Sequence, residues 1–128
     1  MKFLTLLALS ISLALPAAQA VAADSDGCYF QPRTTGDARW SKYDDDKLIV
    51  TITNRENSGV YVKVCIKRKS GSDDCGASWI RAGKSETFSA YDAHSTGSYG
   101  WYSVGSQNRD ASWVCSGKTN GWHTDMNL

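Results

Sequence analysis

Leucine, isoleucine, valine and phenylalanine are scarce in this chain once its first 23 residues are set aside. From Asp24 onward, Leu, Ile, Val and Phe make up 14 of 105 residues. So low a proportion is typical of disordered chains, but the same stretch carries eleven Trp and Tyr residues and almost no net charge. We therefore expect a folded domain whose core is small and aromatic.

An excess of charge of either sign is missing as well. The formal net charge is +1, and setting aside Lys2 leaves 13 basic and 13 acidic residues. Nucleic-acid-binding domains usually carry a clear basic excess, and helices that lie on membranes carry a basic amphipathic pattern. The sequence therefore predicts no nucleic-acid partner and no membrane insertion.

The long apolar run lies at the N-terminus and is too short to span a bilayer. Residues 3–15 form 13 largely apolar positions after Lys2, whereas a membrane helix needs about 20. Pro16 ends the run, and Ala18-Gln19-Ala20 has the small-x-small pattern of signal cleavage. We predict that residues 1–20 are a cleaved secretory signal peptide, so that the protein is periplasmic or extracellular; cleavage two or three residues later also fits.

No CxxC motif is present, although the exported part holds four cysteines. They are Cys28, Cys65, Cys75 and Cys115. An even number of cysteines in an oxidising compartment predicts two disulfides, which can be paired in three ways. Because metal sites usually use closely spaced ligands, we predict neither a metal site nor another cofactor.

Two neighbouring segments alternate between apolar and other residues with a period of two. They cover residues 48–53 and 60–66 and are rich in β-branched residues, which is typical of strands. We predict that they pair as a hairpin with its turn at residues 55–59. The predicted pairs are Ile52 with Val62 and Val50 with Val64, which put the aliphatic residues on one buried face.

A second turn, at residues 69–72, indicates how the cysteines pair. A register that sets Lys67 opposite Asp73 also sets Cys65 opposite Cys75. Opposed residues of antiparallel strands lie within disulfide range, about 4.5–5.5 Å between Cα atoms. We therefore predict the bridges Cys65–Cys75 and Cys28–Cys115.

Strand-like segments continue to the C-terminus, and no segment has a convincing helical period. They lie at residues 86–91, 98–104, 111–115 and 122–124, with turn residues recurring about every 8–12 positions. This pattern is typical of a small antiparallel β-sandwich or barrel. We predict that residues 21–128 form one such all-β domain, cross-linked by two disulfides.

Catalytic motifs are missing for the most part. Ser98 lies in Gly97-Ser98-Tyr99-Gly100, which lacks the GxSxG spacing of a nucleophile elbow. Asp92 and His94 would share one face of a strand, so a Ser-His-Asp arrangement is conceivable, and His123 is the other histidine. We predict no catalytic residues and keep a small secreted hydrolase as a second alternative.

The acidic residues cluster where turns are expected. Asp44-Asp45-Asp46 and Asp73-Asp74 are examples, and Asp is a common turn former. Residues 24–27 resemble the opening of a calcium loop, but the later ligands of such a loop are absent. Solvated turns are therefore favoured over a calcium site or a carboxylate pair for glycoside cleavage.

One alternating face of the segment 60–69 is basic. It consists of Tyr61, Lys63, Cys65, Lys67 and Lys69. A rigid basic strand could dock an acidic partner surface at little cost in entropy. The alternative is an ordinary solvent-facing strand whose lysines prevent pairing at a sheet edge.

Six aromatic residues lie late in the chain: Tyr91, Tyr99, Trp101, Tyr102, Trp113 and Trp122. Most should fill the aliphatic-poor core, but we expect two or three to be exposed, because a one-sided sheet cannot bury both faces of residues 99–102. Exposed Tyr and Trp are common anchors of protein interfaces, and flat aromatic rings also stack on sugars.

Together these features favour an exported, non-enzymatic binding protein. We predict a protein partner, such as a secreted or envelope enzyme that the domain inhibits or a toxin that it neutralises; a carbohydrate or cell-wall ligand is the alternative. The predicted binding residues are Tyr99, Trp101, Arg109, Lys63 and Lys67. An edge strand could also form a homodimer, so monomer and dimer both stay open.

Overall fold

The domain is a sandwich of two antiparallel sheets. The computed structural model describes residues 23–106, 114–115, 117–118 and 122–125. Within these residues the strands are β1 (Cys28–Tyr29), β2 (Thr34–Trp40), β3 (Leu48–Asn54), β4 (Val60–Ile66), β5 (Asp74–Ile80), β6 (Ser85–Ala90), β7 (Tyr99–Ser106) and β8 (His123–Asp125). The larger sheet has the order β1-β7-β4-β5 with β8 also on β7, and the smaller sheet has the order β2-β3-β6. The prediction of an all-β antiparallel fold is confirmed.

The core lies between β3 of the smaller sheet and β4 of the larger one. Leu48, Val50 and Ile52 point inward from β3 and are fully buried. Val62 and Val64 are buried on the facing side, in the same apolar cluster. The period-two alternation therefore predicted correctly which side chains are buried, since successive side chains of a strand point to opposite faces.

The predicted pairing of β3 with β4 is wrong. Strand β3 pairs with β2 and β6, whereas β4 pairs with β5 and β7. Residues 55–59 carry the chain from one sheet to the other, so the aliphatic faces meet across the core instead of lying side by side. An alternating pattern fixes the buried face of each strand but is satisfied equally well by either arrangement.

A buried asparagine holds this crossover. Asn54 is 0% exposed, and its Nδ2 donates hydrogen bonds to the carbonyl oxygens of Ser58, at 2.8 Å, and of Ile80, at 3.0 Å. Its Oδ1 accepts a bond from the backbone N–H of Glu56 at 2.9 Å. One side chain at the end of β3 is thus bonded to the crossover and to β5 of the other sheet.

Both predicted disulfides are present. Cys65 lies directly opposite Cys75 in the β4–β5 register, with 4.1 Å between the Cα atoms. Cys28 is bonded to Cys115, with 5.6 Å between the Cα atoms, and both are buried in a small cluster with Val104. Two disulfides indicate an oxidising environment of the kind that exported proteins meet.

The later strand predictions have mixed outcomes. The segments 86–91 and 98–104 correspond to β6 and β7, and 122–124 corresponds to β8, which begins one residue later. Most of the strand predicted at 111–115 lies outside the described residues, and the two described positions, Val114 and Cys115, belong to no strand. The predicted signal peptide, residues 1–20, also lies outside them. In the described part of the chain, no helix is long and apolar enough to cross a membrane.

Candidate functional site

Three loops meet at one end of the sandwich, which we call the loop end. They are residues 41–47, 67–73 and 91–98. They converge because β2, β4 and β6 finish at this end, and the antiparallel strands that follow each of them start there. Loops held by a rigid β-scaffold are a common location for binding residues.

Two aspartates tie these loops together. The backbone N–H of Ala93 donates to the Asp46 carbonyl at 2.9 Å, and the N–H of Asp92 donates to Asp46 Oδ2 at 3.2 Å. Asp92 in turn accepts two bonds from the loop 67–73. Its carbonyl accepts the N–H of Lys69 at 2.8 Å, and its Oδ2 accepts the Ser70 hydroxyl at 2.7 Å. The loop end is therefore a cross-linked platform.

The backbone of Asp92 has the conformation that these bonds require. Its φ is +55°, in the left-handed region that Asp and Asn adopt more readily than other side-chain-bearing residues. Its carboxylate also lies 4.0 Å from an Arg68 guanidinium nitrogen. The backbone and carboxylate of Asp92 thus both take part in contacts that join the loops.

The loop end carries two exposed tyrosines. Tyr43 is 93% exposed and Tyr91 is 57% exposed. The backbone N–H of Tyr43 donates to Ser41 Oγ at 3.2 Å, and Lys47 Nζ lies 5.0 Å from the centre of the Tyr91 ring. Large aromatic rings are therefore held in solvent on a backbone that is already ordered.

Sequence reasoning missed Tyr43 altogether. Tyr91 was among the six late aromatic residues, but Tyr43 has no strand period around it and so was not singled out. The available signal was composition: Lys42-Tyr43-Asp44 places a lone aromatic between charged residues in a polar loop. Such a ring has no apolar neighbours along the chain to pack against.

Charges of both signs surround the tyrosines. The loops carry five basic residues, Lys42, Lys47, Lys67, Arg68 and Lys69. They also carry five aspartates, Asp44, Asp45, Asp46, Asp73 and Asp92. The loop end is therefore not a basic patch, and its recognition chemistry is mixed.

The predicted binding residues are scattered over the molecule. Lys67 is exposed in the loop end, whereas Lys63 is half-buried on the outer face of β4. Tyr99 is only 3% exposed and packs in the main core, and half-buried Trp101 packs against the same core. Arg109 lies outside the described residues.

Tyr99 and Trp101 are core residues because they lie on the inner face of β7. Their ring centroids are 5.7 Å apart, and the Trp101 ring stacks on His123 of β8 at 5.1 Å. Gly36 of β2 leaves room for this indole, since a Cβ there would lie 3.2 Å from its ring atoms. The smaller sheet thus covers two of the rings that were predicted to be binding residues.

The outer face of β4 does not protect a sheet edge. Strand β4 has partners on both sides, β5 and β7, so the edge-protection alternative for its lysines is wrong. Lys63 Nζ lies 5.9 Å from the centre of the Tyr102 ring on the neighbouring strand. The basic face is therefore the middle of a sheet surface that also carries aromatic rings.

A cleft of about 370 Å³ opens on this outer face. Its walls come from β4 and the loop that follows it, from the start of β7 and from β8. The lining residues are Cys65, Lys67, Asp73, Ser98, Tyr99, Gly100, Trp122 and Thr124. The Trp122 ring stands edge-on to Tyr102, with 4.4 Å between centroids, and the residue is 48% exposed.

The histidines are not paired with carboxylates in the contacts of the described residues. His94 Nδ1 is 2.8 Å from the Thr96 hydroxyl and accepts the Thr96 backbone N–H at 3.3 Å. The Thr96 hydroxyl is also 2.9 Å from that of Ser98. Since the Asp92 carboxylate is bonded to Ser70, these side chains do not assemble a Ser-His-Asp triad.

A lysine occupies the acidic N-terminal loop, residues 24–27, that resembles the opening of a calcium loop. Asp24 Oδ1 accepts the backbone N–H groups of Asp26 and Cys28 at 2.9 and 3.0 Å. Lys118 Nζ donates to Asp24 Oδ2 at 2.9 Å and also bonds Asp26. Within the described residues, no three His, Cys, Asp or Glu side chains cluster as metal ligands would.

These bonds shift the pKa of both partners in the directions expected for an ion pair. The hydrogen bond from Lys118, followed by that from the Cys28 backbone, lowers the pKa of Asp24. The bonds to Asp26 and Asp24 raise the pKa of Lys118. The loop is thus fastened to the segment just after Cys115 by charge as well as by the Cys28–Cys115 disulfide.

Replacing Lys118 by methionine should raise the pKa of Asp24 toward the ordinary value of about 3.9. A carboxylate with a lowered pKa stabilises the fold above its ordinary pKa, and this contribution is lost as the pH falls through the folded value. A lysine with a raised pKa stabilises the fold at pH values below its ordinary pKa. This stabilisation is lost as the pH rises through the pKa of the folded state. Carbon-detected NMR titration of the Asp24 carboxylate measures the shift. Lys84→Met, which removes an exposed lysine elsewhere, should leave it unchanged; an unchanged Asp24 pKa in Lys118→Met would contradict the assignment.

Comparison with family models, curated proteins and solved structures found no match to this chain.

Proposed function

We propose that the chain is an exported, non-enzymatic binding protein that recognises another protein through the loop end. The partner would be a secreted or envelope enzyme that it inhibits, or a toxin that it neutralises, in the periplasm or outside the cell. The observation that carries this proposal is the 93% exposure of Tyr43 on a loop whose backbone is hydrogen-bonded in place.

Tyrosine is well suited to such a role. Its ring offers a large contact area, its hydroxyl offers a hydrogen bond, and only two side-chain torsions are immobilised on binding. Tyr, Trp and Arg are also enriched among the residues that dominate binding energy at protein interfaces. Tyr43 and Tyr91 therefore have the properties of interface anchors.

The bonds through Asp46 and Asp92 add a second argument. Ordering flexible loops opposes association, and loops that are already ordered in the free protein avoid that cost. At least six hydrogen bonds join the three loops of the loop end in the free protein. The loop end carries charges of both signs, which favours a folded partner with complementary charges. Matched charges orient the partner and disfavour the binding of other proteins.

The hydrolase alternative has less support from the geometry. A general base in such an enzyme is usually oriented by a carboxylate, whereas His94 is bonded to Thr96. The carbohydrate alternative is supported by the cleft beside Trp122, which does not include the exposed tyrosines.

The proposal is tested by capturing the partner with immobilised protein from secreted and envelope fractions. The wild type should recover one protein in stoichiometric amount, and the double variant Tyr43→Ala/Tyr91→Ala should bind that protein at least about 30-fold more weakly, as expected for lost interface anchors. Arg81→Ala, at the opposite end of the sandwich, is the matched control and should retain full affinity. Equal binding by the double variant and the control would overturn the proposed site.

A further inference from the structure

We infer that the cleft beside Trp122 is a binding subsite for one pyranose ring of a neutral glycan. The inference does not rest on the proposed protein recognition, because Trp122, Gly100 and Cys65 carry it and none of them belongs to the loop end. Lys67, Asp73 and Ser98 of the loop end also line the cleft. The inference assigns a ligand class to a surface formed by an aromatic wall, polar groups at the rim and a floor of small residues.

The Trp122 ring, which forms the aromatic wall, packs on Gly100 and Tyr102. Trp122 lies over Gly100, where an added Cβ would be 3.3 Å from its Cε3, and the Tyr102 ring supports it at 4.4 Å. Nearly half of the Trp122 surface nevertheless remains exposed. The face of an indole carries partial negative charge, which attracts the polarised C–H groups on the face of a sugar ring.

The rim supplies hydrogen-bonding groups of each kind. Lys67 offers a donor, Asp73 an acceptor and Thr124 a hydroxyl that can act as either. Among the described residues neither Lys67 nor Asp73 forms an ion pair, and both are exposed. One positive and one negative group face the cleft, so its charges balance and favour an uncharged ligand with many hydroxyls.

The size and floor of the cleft fit a sugar better than an aromatic side chain from a partner. A volume of about 370 Å³ is at the lower end of the range for small-ligand sites, about 300–1,000 Å³. Cys65 and Gly100 lie opposite each other in the β4–β7 register, and both line the cleft beside Trp122. A pyranose has an apolar face and hydroxyls around its edge, whereas an aromatic hydrocarbon ring would leave Lys67 and Asp73 unmatched.

The test is an NMR and fluorescence titration of residues 21–128 with maltotriose, cellotriose and N,N′,N″-triacetylchitotriose at millimolar concentrations. At least one should shift the indole N–H signal of Trp122 together with the amide signals of Gly100 and Thr124. Trp122→Ala should weaken binding at least about tenfold, as expected for a lost stacking ring. Asp73→Ala should weaken it about 3- to 10-fold, as expected for one hydrogen bond.

Controls separate this subsite from the exposed tyrosines of the loop end. Tyr43→Ala should bind the sugar as the wild type does, and Trp122→Ala should still capture the protein partner. Circular dichroism checks that Trp122→Ala is folded; Asp73→Ala, which changes an exposed residue, decides the matter if it is not. The inference is overturned if none of the three sugars shifts these signals, or if shifts persist unchanged in the Trp122 and Asp73 variants.

Discussion

Replacing Cys28 and Cys115 by serine is expected to lower the free energy of unfolding by about 4–5 kcal/mol. The bridge joins residues 87 positions apart in the sequence, so its loss frees nearly the whole domain in the unfolded state. The chain-entropy model assigns more stabilisation to longer closed loops. Domains of this size are typically stable by about 5–15 kcal/mol, so this loss removes between about a quarter and nearly all of the stability.

Burial makes this bridge more important than loop length alone suggests. Cys28 and Cys115 are both 0% exposed and share a cluster with Val104, against which Phe30 and Tyr61 pack. The replacement serines would place two hydroxyls in this cluster, and a buried hydroxyl without a partner is unfavourable. The cluster is the smaller of the two apolar clusters of the described residues, so it has little other packing to hold it.

The Cys65–Cys75 bridge is the matched control. It closes a sequence separation of only 10 residues, between strands that are already paired, and Cys75 is exposed. The same entropy model gives about 3 kcal/mol for a loop of this order. Urea denaturation of the two double-serine variants beside the wild type measures the difference. A larger loss for Cys65→Ser/Cys75→Ser than for Cys28→Ser/Cys115→Ser would contradict the expectation.

The alternation in β3 and β4 shows how far sequence reasoning can go for this fold. Residues of one strand that are two apart must share a face, so the buried sets around Val50 and Val62 follow from the chain itself. Which strand lies beside which depends on contacts between distant segments, and β4 finds its second neighbour in β7, at residues 99–106. The Cys65–Cys75 register was predictable because a tight turn and a covalent constraint both act locally.

Tyr43 and Tyr99 show why the site was harder to predict than the fold. The pattern around Tyr99 indicates a strand face, but only the position of β2 and β3 decides that this face is covered. Tyr43 lies in a loop, where no period relates exposure to sequence position. The cleft likewise depends on Trp122, which reaches Gly100 only because β8 returns to pair with β7.

Asn54 was not singled out from the sequence either, yet replacing it should have an effect nearly as large as losing the buried bridge. Its amide satisfies the carbonyl oxygens of Ser58 and Ile80 and the N–H of Glu56. Asn54→Leu would leave these backbone groups without their partner, and each buried unpaired group costs about 1–3 kcal/mol. We expect a loss of about 3–5 kcal/mol in the free energy of unfolding, measured by urea denaturation. Asn57→Leu changes an exposed asparagine of the same crossover and should cost less than about 0.5 kcal/mol.

Asn54→Asp tests the role of the amide donor, because it keeps the shape of the side chain and removes the N–H groups. An ionised carboxylate would face two carbonyl oxygens in a buried position, so its pKa in the folded protein should rise above the unfolded value. A group with a raised folded pKa contributes its stabilisation below the unfolded pKa and loses it as the pH rises through the folded pKa. The stability of Asn54→Asp relative to wild type should therefore be highest near pH 3 and fall steadily toward pH 8. A stability difference that does not change with pH would show that the Asn54 amide does not hold the two sheets together through its donors.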